Sequence, residues 1–252
     1  MKEKLSEIAI LAGKVILDIY NTADFGIESK ADNSPLTLAD KAAHDVIVEG
    51  LKPFGFPILS EEGETISYSE RKNWTKFWMV DPLDGTKEFI KKNGEFTVNI
   101  ALIEDGKPTF GVIYVPVKDQ LYIGGVSEAA VKITSDGSFK LKPSDAYGYT
   151  EISSKEKVRV VASRSHLNDE TKDLLNSLSN PSIVSMGSSL KFMVIADGDA
   201  DLYPRYAPTM EWDTAAAHGI LNSLGYKVLQ QGSLEELTYN KENLLNPYFI
   251  CY

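Results

Sequence analysis

The chain reads as an α+β fold that passes into an α/β one. Three patterns predict this: apolar residues at helical spacing near the N-terminus, a hairpin signal in the middle of the first half, and strand–helix alternation from about residue 157. Leu5, Ile8, Ala12, Val15, Ile16 and Ile19 share one helical face, which predicts an amphipathic helix over residues 3–20. A polar stretch from Lys30 to Pro35 leads to Thr37 and Asp40, whose spacing resembles a capping pair opening a second helix to about Leu51. The apolar run Phe77 to Val80 reads as a buried strand, with a short helix over Lys87 to Lys92 after a turn. Phe96 to Ile103 and Thr109 to Val115 read as strands joined through Asp105-Gly106, with more strand at Leu121 to Ile123. Helices packed on an antiparallel sheet are therefore expected in the first half.

In the second half Val158 to Ala162, Ile183 to Met186, Ala200 to Tyr203 and Tyr226 to Leu229 read as strands. They alternate with helices at Asp169 to Leu178, Leu190 to Ala196 and Thr214 to Leu224. The Ser/Asp/Gly-rich stretch from Ser135 to Ser154 is where the two lobes are expected to meet. This divides the chain into a 1–145 lobe carrying most candidate ligands and a 146–252 lobe carrying Asp213 and the specificity residues.

Composition narrows the function. With 252 residues, 43% of them hydrophobic, the chain can bury a large core. A formal net charge of −10 argues against nucleic acid or an anionic membrane surface as the main partner. An anionic small substrate would need a cation to offset that field. No apolar run approaches the roughly 18 residues of a membrane span, and the first residues are too charged to continue as a signal peptide. The lone Cys251 cannot form an internal disulfide, so a reducing cytoplasmic setting is expected, with peripheral association with the inner membrane left open.

The most informative stretch is Asp81-Pro82-Leu83-Asp84-Gly85-Thr86. Two carboxylates at a strand end, stiffened by a proline, can be held with the Leu83 carbonyl as oxygen ligands for a hard cation. The amides of Gly85 and Thr86 would open a helix, where N–H groups and the dipole favour phosphate. Taken alone, Asp84-Gly85 reads equally well as a turn that caps a helix. Three further positions bear on the choice. Glu61 and Glu62 end a short apolar strand, and one of them is suited to reach a cation. Asp213 opens a helix of small residues, and Asp40 stands beside Thr37. Asp213 and Asp40 each also read as caps, and the glutamates as solvated charges.

Taken together, Ser60-Glu61-Glu62, the run from Asp81 to Phe89, and Trp212-Asp213-Thr214-Ala215-Ala216 resemble the inositol monophosphatase superfamily. Lys87-Glu88-Phe89, the segment from Asn93 to Ile100, and Gly187-Ser188-Ser189-Leu190-Lys191-Phe192 are most similar to its CysQ-type 3'(2'),5'-bisphosphate nucleotidase branch. The resemblance runs from Lys30 to the C-terminus. It implies a layered αβαβα sandwich and a lithium-sensitive hydrolase with two magnesium ions and a looser third. Glu61, Asp81 and the Leu83 carbonyl would hold one ion, and Asp81, Asp84 and Asp213 the second. Glu61 or Glu62 would touch the third. Asp40 with Thr86 would position and deprotonate the attacking water, and Gly85 and Thr86 would grip the phosphate. The resemblance also implies that Ser188, Lys191 and Arg205 contact a second phosphate and the nucleoside, with His166 near the base. The implied reaction is hydrolysis of 3'-phosphoadenosine 5'-phosphate to AMP and phosphate, the clearing of a by-product of sulfate assimilation.

One departure stands out: the family usually places glycine after Trp-Asp-x-Ala-Ala, whereas this chain has Ala217, whose methyl bears on packing near the phosphate-binding helix. The competing readings are an inositol monophosphatase or broader sugar-phosphate phosphatase, and a non-catalytic nucleotide- or metal-binding module. Monomer and homodimer both remain open.

Overall fold

The computed structural model describes residues 1–22, 26, 28–29, 35–144, 148–162 and 167–252. The chain opens with helix α1 (Lys2–Tyr20), followed by the paired strands β1 (Glu28–Ser29) and β2 (Pro35–Leu36), and then α2 (Leu38–Leu51). Thr37 caps α2, and Asp40 reaches back to the Thr37 amide, so the expected capping pair is in place. A central sheet follows, from β3 (Ile58–Ser60) through the short α3 (Tyr68–Arg71), β4 (Lys76–Asp84) and α4 (Thr86–Ile90). It continues with β5 (Thr97–Glu104), β6 (Lys107–Val115), β7 (Gln120–Gly125), β8 (Glu128–Thr134) and β9 (Gly137–Lys140). These seven strands lie in chain order; β3 runs parallel to β4 and every other pair is antiparallel. Asp105 and Gly106, at φ 48° and 74°, make the tight turn between β5 and β6 that an Asp-Gly pair favours.

Both faces of this sheet are covered, which is why β4 reads as a continuous apolar run. Trp78 and Val80 face α1 and α2, while Phe77 and Met79 face the other way into a second core. That second core is completed by α7 (Leu190–Ala196) and α8 (Glu211–Asn222), reached after α5 (Tyr149–Ser153), β10 (Val158–Val161), α6 (Asp169–Ser177) and β11 (Pro181–Val184). Beyond α7 and α8 lies a three-stranded sheet of β12 (Tyr203–Arg205), β14 (Phe249–Cys251) and β13 (Val228–Gln230), with β14 in the middle. The parallel pair β10–β11 adjoins it through a bridge from Val160 to Leu202. A third core, including Ile152, Val158 and Leu178, packs α5 and α6 against these strands. Three apolar clusters, one of them reaching both sides of α7 and α8, thus hold five structural layers together, the αβαβα sandwich.

The boundaries differ from the sequence reading in physically telling ways. Helix α8 begins at Glu211, not Thr214, because Asp213 sits one turn in and reaches back to accept the Met210 amide at 2.8 Å. The strand read at Ile183 to Met186 starts two residues earlier, and the Ala200 to Tyr203 and Tyr226 to Leu229 strands shift later. Within the expected meeting zone of the lobes, β9 and α5 flank residues outside the described set. Ala217 is buried in the α8 core, away from any cavity near Asp213.

The small residues of α8 allow the close approach expected of them. A Cβ on Gly111 of β6 would lie 1.9 Å from the Ala216 carbonyl oxygen, so helix backbone and strand backbone are nearly in contact. Gly111→Ala is therefore expected to lower stability by about 1–3 kcal/mol in urea unfolding. Gly148→Ala, where nothing lies within 4 Å, is expected to stay within about 0.5 kcal/mol of the parent.

Candidate active site

The site forms where β4 breaks its register with β5. The pairing slips between Asp81, opposite Asn99, and Asp84, opposite Thr97, and Pro82 lies inside the slip, where its missing N–H does least harm. The Leu83 amide donates to Asp81 Oδ1 at 3.1 Å, fixing that carboxyl across the proline. Gly85 then turns the chain at φ 96°. A Cβ there would meet the Glu95 carbonyl oxygen at 3.0 Å and Ser188 Cβ at 3.2 Å, so both conformation and space require glycine.

Carboxyl oxygens of Glu61, Asp81 and Asp213 lie within 4.8 Å of one another, from β3's end, β4 and α8. Burial pushes the Asp81 carboxyl well above its ordinary range, and Glu61, Asp84 and Asp213 push it further. Burial does the same to Asp213, aided by Asp84 and Glu61. Asp81 and Glu61 thus face each other as like charges that repel unless something positive stands between them. Elsewhere this protein handles buried carboxylates differently. Burial also penalises Asp201, yet Arg159 and Lys155 hold it down to about 2, and Lys241 bonds buried Glu211 at 2.6 Å. Among the described residues no Lys or Arg forms an ion pair with Asp81 or Asp213. An all-oxygen donor set in which Asp81 and Asp213 form no ion pair among the described residues fits a hard divalent ion such as Mg²⁺.

Asp40 caps α2 and also reaches Thr86. Its Oδ2 accepts from the Thr37 amide at 2.8 Å and the Thr37 hydroxyl at 2.5 Å, while Oδ1 accepts from Thr86 Oγ1 at 3.2 Å. Thr86 also lies 3.4 Å from the Leu83 carbonyl oxygen. Asp213 is likewise both cap and cluster member. Asp84 is not a cap: Gly85 holds the N-cap of α4, and the Asp84 carboxylate turns instead to the start of α7. There its Oδ2 accepts from Ser188 Oγ at 2.7 Å, the Ser189 amide at 2.5 Å and Ser189 Oγ at 2.6 Å. Asp84 and Glu62 both stand outside the tight three-carboxyl group.

Beside the carboxyls lies a cavity of about 260 Å³ whose wall includes Asp84, Gly85, Ser188, Lys191, Arg205 and Asp213. Lys191 Nζ donates to the Ser188 carbonyl at 3.2 Å; burial lowers its pKa, opposed by Asp84. Arg205 Nε donates to Thr209 Oγ1 at 2.7 Å. A second cavity of about 470 Å³ shares Lys191, Tyr203 and Arg205 and extends past Met186, Leu167 and Tyr206. His166 lies outside the described residues. The sequence reading passed over Thr97, Asn99, Ser189, Tyr203 and Thr209, although Thr97 and Asn99 are alternate polar positions in an otherwise apolar strand, a visible anomaly.

Comparison with known proteins agrees with this geometry. The model of the inositol monophosphatase family matches residues 1–247. This chain belongs to that family. Among its relatives, the 3'(2'),5'-bisphosphate nucleotidase CysQ of Shigella flexneri is 44% identical, covering 99% of this chain and 98% of that protein. The CysQ of Escherichia coli K12 is 42% identical over the same shares. The crystal structure of CysQ from Bacteroides thetaiotaomicron superposes with a TM-score of 0.85 at 46% identity, covering 99% of this chain and 95% of that one. The acidic cluster at the break in β4 adjoins a cavity of mixed charge, lined by Asp84, Glu88 and Asp213 together with Lys191 and Arg205. No helix among the described residues is long and apolar enough to cross a membrane.

Proposed function

We propose that this protein is a magnesium-dependent phosphatase that hydrolyses the 3'-phosphate of 3'-phosphoadenosine 5'-phosphate, giving AMP and phosphate in the cytoplasm. The observation that carries the reading is the placement of Lys191 and Arg205 across one cavity from Asp84 and Asp213. A substrate with one phosphate needs only the carboxyl side; a second cationic anchor suits a second phosphate. The neighbouring cavity has room for a nucleoside beyond that anchor, and the CysQ relatives carry the same activity in their names.

Glu61, Asp81 and Asp213, with the Leu83 carbonyl and Asp84, would hold two ions, and Glu61 or Glu62 would touch a third. When bound, magnesium supplies charge neutralisation at the reacting phosphate and a more acidic water. Thr86 Oγ1 can pass a proton from the attacking water to Asp40 Oδ1, which sits at hydrogen-bond distance. Asp40 is held ready because its other oxygen is fixed by Thr37. The amides of Gly85 and Thr86 grip the scissile phosphate, Lys191 and Arg205 hold the other, and the phosphoryl group passes directly to water. Lithium, competing for the weaker magnesium position, is expected to inhibit.

Phosphate release measured in Mg²⁺ with 3'-phosphoadenosine 5'-phosphate, 3'-AMP and inositol 1-phosphate tests the reading. The bisphosphate is expected to have the highest kcat/KM, and Lys191→Ala is expected to remove most of that preference by raising KM for the bisphosphate about tenfold or more. Equal or better turnover of inositol 1-phosphate would favour the monophosphatase alternative; no turnover of any of the three would favour a binding module.

A further inference from the structure

We propose that Asn99 and Ser189 are positioning residues that hold Asp84 in the arrangement that receives the cation. This rests on the metal-dependent reading above and adds residues to which that reading gives no role. Thr97 and Asn99 are alternate residues of β5, on the face that looks toward α7 and α8, and they lie directly opposite Asp84 and Asp81 in the sheet register. Each is essentially excluded from solvent, as is Ser189 at 2% exposure.

The direction of the hydrogen bonds follows from counting protons. Thr97 Oγ1 donates to Asn99 Oδ1 at 2.9 Å, which orients the amide so that Nδ2 donates to Ser189 Oγ at 2.9 Å. A hydroxyl that accepts from Asn99 has its single proton left to give. Two acceptors stand in reach: Asp84 Oδ2 at 2.6 Å and the Asp213 main-chain oxygen at 2.8 Å. A charged acceptor forms the stronger bond, so the proton goes to Asp84 while the Asp213 carbonyl stays within reach of the same oxygen. The chain Asn99 to Ser189 to Asp84 thereby crosses from the central sheet to α7 and back. It ties Asp84 to Asn99 of the central sheet and to the start of α7.

The consequence for the cation is specific. Three donors converge on Asp84 Oδ2, whereas Oδ1 accepts no bond among the described residues. One oxygen is therefore fixed by the protein and the other is kept for a ligand. Groups that orient a metal-binding carboxylate typically contribute 10–100-fold to affinity or activity.

The test is Mn²⁺ binding to the substrate-free protein, followed by electron paramagnetic resonance or calorimetry, alongside thermal melting with chelator present. Ser189→Ala is expected to weaken Mn²⁺ binding about 10- to 100-fold. Ser189→Thr, which keeps the hydroxyl, is expected to restore it to near the parent value. Should Ser189→Ala fail to fold, Ser189→Cys, with a poor donor of similar size, is expected to show the same loss in a folded protein. Unchanged Mn²⁺ affinity in a folded Ala or Cys variant would overturn the proposal. If the parent itself binds no Mn²⁺, the metal-dependent reading fails and this inference falls with it. A parent that binds while the variants bind equally well sinks only the positioning role.

Discussion

Asp81→Asn is expected to abolish turnover and yet to raise the melting temperature of the metal-free protein. The two effects have one cause. Asp81 is 1% exposed and stands near the carboxyls of Glu61, Asp84 and Asp213, and burial is the first of the forces that push its proton affinity up. A carboxyl whose folded-state pKa exceeds its unfolded value of about 3.9 contributes its stability below that value, and loses it as pH climbs through the raised one. In chelator the parent should fall progressively behind Asp81→Asn as pH rises, by about 2–4 °C for each kcal/mol of repulsion relieved. Added Mg²⁺ should reverse the order, because an ion that binds only the folded parent stabilises it by mass action. The loss of kcat/KM should exceed the 10–100-fold typical of groups that merely orient a ligand. Parallel melting curves for the two proteins across pH, with no response to Mg²⁺, would contradict this.

Thr86→Val is expected to lower kcat about 10²- to 10⁴-fold while leaving Mg²⁺ affinity and substrate KM near their parent values. Valine keeps the volume and the branched shape and removes only the hydroxyl that donates to Asp40 Oδ1 at 3.2 Å. Helix α2 should be undisturbed, since Asp40 caps it through a different oxygen. A variant with parental kcat would mean that Asp40 serves α2 alone.

Much of the site is legible in the sequence because local rules and functional demands coincide. Thr37 and Asp40 are spaced as a capping pair, and the structure keeps that pair while turning the second Asp40 oxygen to Thr86. Asp213 is visible as a helix-start carboxylate, though its place inside the first turn rather than before it escapes a pattern that cannot see where the Met210 amide points. The convergence of Glu61 with Asp81 and Asp213 is not local at all. It depends on β3 lying parallel to β4 and on α8 crossing the sheet at Gly111, and the family resemblance, not periodicity, anticipates it. Strand β14 goes unread for a similar reason: three residues gain their structure from β12 and β13 on either side, partners far away in sequence. Strands β8 and β9 are mostly half-exposed or exposed, so they lack the apolar alternation that marks β5 and β6. Thr97 and Asn99 are the instructive omission. Two polar residues on the buried face of a strand need partners: Thr97 gives its proton to Asn99, and Asn99 donates to Ser189, a hydroxyl that holds Asp84.

The most direct measurement is a crystal grown with Mn²⁺ in place of Mg²⁺ and recorded for anomalous scattering. An anomalous peak coordinated by Glu61, Asp81 and Asp213, with a second near Asp84, is the predicted result. A crystal at millimolar Mn²⁺ with no peak between those three carboxyls would contradict the claim that a divalent cation, rather than a shared proton, is what this acidic cluster is built to hold.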